Sequence, residues 1–290
     1  MDNIRAIVLM TLAMFSFAVS DVFIKFAAVN LASAQIILFM AVLGTITFAI
    51  LTRAAGQRIA APIFFHPRVM LRNLFEIIGS ASMITALSLA PLALVTSISQ
   101  AMPLVVTAAA ALILGERVGR RRWIAVFIGL GGVLLILRPG IGNLSWGAAL
   151  ALIATLSLSL RDVITRIVPR AATNLQLATY AFALLIPVGL ALVWITDAAA
   201  PDNAADIAWL VGATLAAAVA YYTITAAMRI GEVSAVTPFR YTRLIFATGF
   251  AIAILGERPD AFTFLGAAII IGSGLFVLLR ERQLARRSLS

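Results

Sequence analysis

Apolar runs of about twenty residues follow one another along this chain, separated by short breaks that carry most of its arginines. A helix rises 1.5 Å per residue, so a run of that length covers the roughly 30 Å hydrocarbon core of a bilayer. Lipid offers no partner to a backbone N–H or C=O, and a helix satisfies those groups within the run itself. The alternating ten-residue segments of a transmembrane barrel are absent. Composition agrees: 62% of the 290 residues are hydrophobic and 12% charged, with a mean hydropathy of +1.06, too few charges to solvate a soluble domain. The runs predict helices over 4–27, 32–52, 72–90, 94–114, 121–138, 145–166, 175–196, 207–229, 234–255 and 261–280. The fold class is therefore an all-α membrane protein with ten transmembrane helices. The first run is too long for a signal-peptide core and contains Asp21 and Lys25, so it is read as a retained helix.

The net charge of +10 does not point to nucleic acid, because the basic residues lie between apolar runs instead of on one face. With the N-terminus inside, the inner segments collect 17 of the 22 basic residues; Lys25, Arg138 and Arg258 fall outside, and Arg240 and Arg243 lie within the ninth helix. That bias places both termini in the cytoplasm of a multi-pass inner-membrane protein. Trp123, Trp146, Trp194 and Trp209 fall at predicted helix ends, where an indole prefers the interface. Cysteine is absent and the single histidine, His66, sits in a loop. Disulfides and thiolate metal sites are excluded, and no nucleophile–base constellation or Gly-x-x-x-x-Gly-Lys loop suggests an enzyme or an ATP-driven pump. No cofactor is expected.

An internal repeat runs at an offset of 141 residues. Leu114-Gly115-Glu116-Arg117 recurs as Leu255-Gly256-Glu257-Arg258, Asp21-Val22 as Asp162-Val163, Lys25 as Arg166, and Gln35 as Gln176. Val95-Thr96, Thr107 and Gly131 recur as Val236-Thr237, Thr248 and Gly272. The halves divide at 1–141 and 142–290, and each holds five predicted helices, an odd number, so the second half enters the membrane from the opposite face. Two inverted repeats around a central cavity are a recurrent basis for alternating access. A duplication that served only to build a stable scaffold is the plainer reading.

With the repeat and the paired tetrads in view, the chain resembles the drug/metabolite transporter superfamily, and within it the EamA-type branch, over essentially its whole length. The resemblance implies a secondary transporter with a cavity lined by the first, third, fourth, sixth, eighth and ninth helices. In size and layout the chain is similar to the YddG-type exporters, which implies export of amino acids, aromatic ones among them. Uptake of another metabolite, such as S-adenosylmethionine or riboflavin, is the alternative, and a passive channel a third. The partners implied are a small-molecule substrate and the lipid bilayer, with a second copy of the chain allowed for.

Polar side chains within the spans are the candidates for a binding site, since a charge at the bilayer centre costs a few kcal/mol. Arg243 lies nine residues into the ninth helix, about 13 Å deep. Arg240 lies three residues earlier, at a depth near that of Glu76. On the functional reading Arg243 or Arg240 binds a substrate carboxylate and Glu76 takes an amine or a proton; that reading is preferred for Arg243, and a structural ion pair for Arg240 and Glu76. The competing reading makes Glu76 a structural partner of Arg240 or Arg72. On the fourth helix Thr96, Gln100, Pro103 and Thr107 share a face, matched by Thr237, Tyr241, Leu244 and Thr248 on the ninth. Pro103 is expected to loosen its helix. Tyr221, whose repeat equivalent is Ser80, and Tyr222 and Tyr241 are candidates for stacking on a substrate. Asp21 is expected to pair with Lys25 one turn on, and Glu116 and Glu257 to form ion pairs with neighbouring arginines at helix ends.

Overall fold

The computed structural model describes residues 2–115, 118–138, 145–230 and 236–287. The first half runs through α1 (Asp2–Ala27), α2 (Ser33–Ala54), a 3-10 turn (Pro62–Phe65), α3 (Pro67–Leu89), α4 (Leu92–Ser99), α5 (Met102–Ile113) and α6 (Arg120–Leu137). The second runs through α7 (Trp146–Thr165), α8 (Asn174–Thr196), α9 (Ala204–Ile230), a 3-10 segment (Thr237–Tyr241), α10 (Thr242–Ala253) and α11 (Ala261–Arg287). No strand occurs among the described residues. Local chemistry sets several starts. Pro67 opens α3, where a missing N–H costs nothing, and His66 Nδ1 accepts from the Arg68 N–H at 3.2 Å. Thr173 and Gln176 form a capping box on α8.

Among the described residues, six stretches are long and apolar enough to cross a membrane: Ile4–Ala27, Ser33–Ala54, Leu92–Ile113, Trp146–Thr165, Asn174–Thr196 and Ala204–Ile224. The other expected spans depart for physical reasons. α3 carries Arg72, Asn73 and Glu76 in its body, and α6 opens on Arg120, Arg121 and Arg122. The described part of the ninth span is divided between a 3-10 segment and α10, while α11 offers the shorter apolar stretch Ala261–Phe276.

The fourth expected helix is also broken, between Ser99 and Met102. Pro103 lies in the first turn of α5 and has no N–H to donate to the carbonyl four residues back, so the helix is interrupted just before it. The break recurs one repeat later. Gln100 has ψ −11° and its equivalent Tyr241 has ψ −16°, although Leu244 stands where Pro103 would recur.

Helix packing repeats the sequence register. α1 packs on α9, and its counterpart α7 packs on α3; α2 packs on α8, α4 on α10, and α6 on α11. Exchanging the two halves turns α1–α9 into α3–α7 and returns α2–α8 and α6–α11 to themselves. Gly132 and Gly266 let α6 and α11 approach closely, since a Cβ on Gly132 would stand 2.8 Å from the Gly266 carbonyl oxygen. Ile36, Leu87, Leu92, Ile98, Leu104, Leu210 and Ile270 are fully buried between the helices. Leu112, Ile113, Phe127 and Ile245 are exposed on the outside, as apolar side chains facing lipid would be. The chain is a multi-pass membrane protein.

Candidate functional site

Four candidates from the sequence come together in one belt: Glu76 and Ser80 on α3, Tyr221 on α9, and Arg240 on the 3-10 segment. Glu76 is its hub. Both carboxylate oxygens accept from Arg161 Nη1, at 3.0 and 2.8 Å; Arg72 Nη2 lies 2.5 Å away, and Ser80 Oγ donates at 3.1 Å. Arg72 also donates to the Asn73 side chain at 3.0 Å, the Leu177 carbonyl at 3.3 Å and the Tyr221 hydroxyl at 3.4 Å. Arg161 Nε continues the chain of charge to Asp162 at 2.9 Å, and Asp162 meets Arg240 at 3.8 Å.

This arrangement corrects several expectations. Glu76 pairs with Arg72 one turn away, as one reading proposed, but not with Arg240. With three partners already, it has no oxygen free for a substrate amine. Arg72 and Arg161 are among the basic residues collected on the inner side; the structure buries Arg72 at 1% exposure and places Arg161 in the last turns of α7. Arg161 was missed because it lies close to a predicted helix end. The signal was its place directly before the repeat aspartate Asp162, within a helix that continues to Thr165.

Arg243 stands apart from the belt. Its Nη2 donates to both oxygens of Asp21, at 3.0 and 2.7 Å, and its guanidinium lies 5.1 Å above the Phe17 ring. Asp21 therefore pairs across to α10 and not with Lys25. Lys25 donates instead to the Ala90 carbonyl at 2.8 Å. The two repeat-related aspartates thus each face an arginine from the same broken segment, Asp21 closely and Asp162 loosely.

Gln100 and Tyr241, equivalent residues at the two breaks, are both 5% exposed. Gln100 Nε2 and the Tyr241 hydroxyl have no hydrogen-bond partner among the described residues. Gly274 makes room for that phenol, because a Cβ there would overlap the hydroxyl. The threonines of the same stripe are otherwise engaged: Thr96 and Thr107 bond the carbonyls of Leu92 and Pro103 in their own helices. Tyr222 is exposed, unlike the buried Tyr241.

Glu257 is not an ion-pair partner of its neighbouring arginine. Its carboxylate accepts from the Leu92 and Ala93 N–H groups, at 2.7 and 3.1 Å, and so caps α4 of the other half. Glu116 and Arg117 lie outside the described residues, as do residues 231–235, where the repeat would place the matching cap.

Known proteins bear on this frame. The EamA-like transporter family matches residues 4–138 and again 145–279. The chain is 27% identical to a riboflavin transporter of Rhizobium johnstonii, over 76% of this chain and 72% of that one. It is 25% identical to an S-adenosylmethionine uptake transporter of Rickettsia prowazekii, over 94% and 92% of the two chains. It is 24% identical to a pseudopaline exporter of Pseudomonas aeruginosa, over 91% and 93%. These three carry substrate names other than amino acids. One crystal structure superposes with a TM-score of 0.65 at 17% identity, covering 96% of this chain and 98% of that chain, and shows the fold alone.

Proposed function

Since the chain belongs to the EamA-like transporter family, we propose that it carries a small metabolite across the bacterial inner membrane by alternating access. In this reading ten helices form two inverted halves, residues 1–141 and 142–290, around a central cavity with both termini cytoplasmic. The 17-to-3 basic bias and the odd number of spans per half support that topology. The observation that carries the reading is the pair of breaks at Gln100 and Tyr241. A helix interrupted at the same register in both halves leaves polar groups at the centre that an unbroken helix would cover. Arg240, Tyr241, Arg243 and Gln100 are the proposed substrate contacts, with Glu76, Ser80 and Tyr221 shaping the wall beside them.

The cargo we propose is an amino acid, aromatic ones included, or a related metabolite, and the direction is export. Uptake is the second reading, favoured by the similarity to S-adenosylmethionine uptake transporters. Counterflow in proteoliposomes tests the proposal with labelled amino acids, S-adenosylmethionine and riboflavin. A carrier gives saturable uptake that accelerates when unlabelled substrate is trapped on the far side. Non-saturating flux without that acceleration would identify a pore and end the alternating-access reading. Arg243→Ala is expected to abolish transport while folded protein still reaches the membrane.

A further inference from the structure

The belt around Glu76 does not balance. Among the described side chains it contains three cations, Arg72, Arg161 and Arg240, and two anions, Glu76 and Asp162, which leaves a surplus of one positive charge. The Arg243–Asp21 pair is neutral on its own and takes none of that surplus. The excess falls at one end. Arg72 and Arg161 share the buried Glu76 at 2.5 and 2.8 Å, whereas among the described residues Arg240 has only Asp162 at 3.8 Å, a carboxylate already engaged by Arg161 at 2.9 Å.

The unpartnered polar atoms are of one kind. Arg72 Nε, Asn73 Nδ2, Gln100 Nε2, Tyr241 Oη and Arg243 Nε are buried without hydrogen-bond partners among the described residues, and each of them carries a hydrogen to donate. The side-chain oxygens of Asp21 and Glu76 all have donors. A buried donor without an acceptor costs about 1–3 kcal/mol, and an uncompensated charge in a membrane costs more. A centre built this way lacks one thing, an anionic group that accepts hydrogen bonds.

Resting on the transporter reading above, we propose that Arg240 is the seat of a carboxylate-class anion on the transported solute. This reverses the order suggested by depth alone. Arg243, the deeper arginine, is already neutralised by Asp21, and the shallower Arg240 holds the unspent charge.

Binding to the purified full-length protein, followed as thermal stabilisation, tests this without requiring transport. The probes are L-phenylalanine, L-methionine and succinate, each beside its primary amide. At least one acid is expected to bind tenfold or more tightly than its amide. Arg240→Gln should remove that preference and Arg240→Lys should keep most of it. If no acid outperforms its amide, or if Arg240→Gln retains the preference, the proposal is overturned. The wild-type acid–amide comparison decides the substrate class even where Arg240→Gln fails to fold. An acid preference that appears in binding but without counterflow would leave this assignment standing and sink the transport reading alone.

Discussion

The α1–α9 and α3–α7 interfaces are one interface built twice, and they are filled with opposite chemistry. At the 141-residue offset, Ser20 corresponds to Arg161, Ala213 to Arg72, Thr214 to Asn73, and Ala217 to Glu76. The α1–α9 copy is closed by a Ser20 Oγ bond to the Ala213 carbonyl at 2.9 Å, with Gly212 fitted against the Phe23 ring. The α3–α7 copy holds a carboxylate between two guanidiniums. Duplication supplied the same backbone contact on both sides, and divergence made one side a seal and the other a charged wall. The proposed site therefore belongs to the pseudo-symmetric frame in position but not in chemistry.

Removing the hub should separate the two copies most. Glu76→Ala leaves Arg72 and Arg161 buried without their shared acid, a loss of about 3–5 kcal/mol. The substitution Ala217→Ser at the twin position is expected to cost less than ~1 kcal/mol. Unfolding in mixed micelles measures both, and equal losses would mean that the interfaces are not chemically distinct. The reverse experiment transplants the charge. Ser20→Arg places a lone guanidinium in the seal at a cost of about 3 kcal/mol. Adding Ala217→Glu should recover more than half of it, and no recovery would show that register does not carry the geometry across.

The next effect concerns the neutral pair. Asp21→Asn should cost about 2 kcal/mol by leaving Arg243 without its acid, and the double variant Asp21→Asn/Arg243→Gln should cost less than the sum of the single changes. Strict additivity would mean that the 2.7 Å contact carries no coupling.

The contrast between the copies also shows what a sequence reveals. The apolar runs and the repeat were legible because hydropathy and register are local properties of the chain. The partner of a buried charge is not local. Asp21 has Lys25 one turn away and takes Arg243 instead, 222 positions on, because helix packing aims it at α10. Glu76 could be paired with Arg72 from spacing alone, but Arg161 reaches it only through the α3–α7 contact. The first break was foreshadowed by Pro103; the second has no proline at the matching position, and only the repeat relates it to the first. Glu257 sat in a recognisable motif, yet its role as a cap on α4 lies 165 residues from its own position.

That cap gives a smaller effect. Glu257→Ala should cost about 1 kcal/mol, the usual value of an N-terminal cap, and should raise hydrogen exchange at the Leu92 and Ala93 amides ahead of the rest of α4. Uniform exchange along the helix would place the role of Glu257 elsewhere.

The smallest effect is at the α6–α11 end, outside the membrane spans. Asp260 accepts the Thr263 N–H at 2.8 Å, and the Arg138 guanidinium lies against it as well as 4.2 Å over the Phe262 ring. The Thr263 bond first, and Arg138 after it, hold the Asp260 carboxyl below its ordinary value of 3.8. The folded state therefore favours the ionised form. Its stabilisation is fully present above the unfolded value and is lost as pH falls through the lowered folded one. Because the carboxylate is half exposed, the loss is only a few tenths of a kcal/mol. It should appear as a difference between wild type and Asp260→Asn that is constant at neutral pH and narrows below about pH 4. A difference that stays constant down to about pH 2 would mean that Asp260 acts by shape and not by charge, and that this end of the α6–α11 pair resembles the apolar seal of α1–α9 more than the ionic wall of α3–α7.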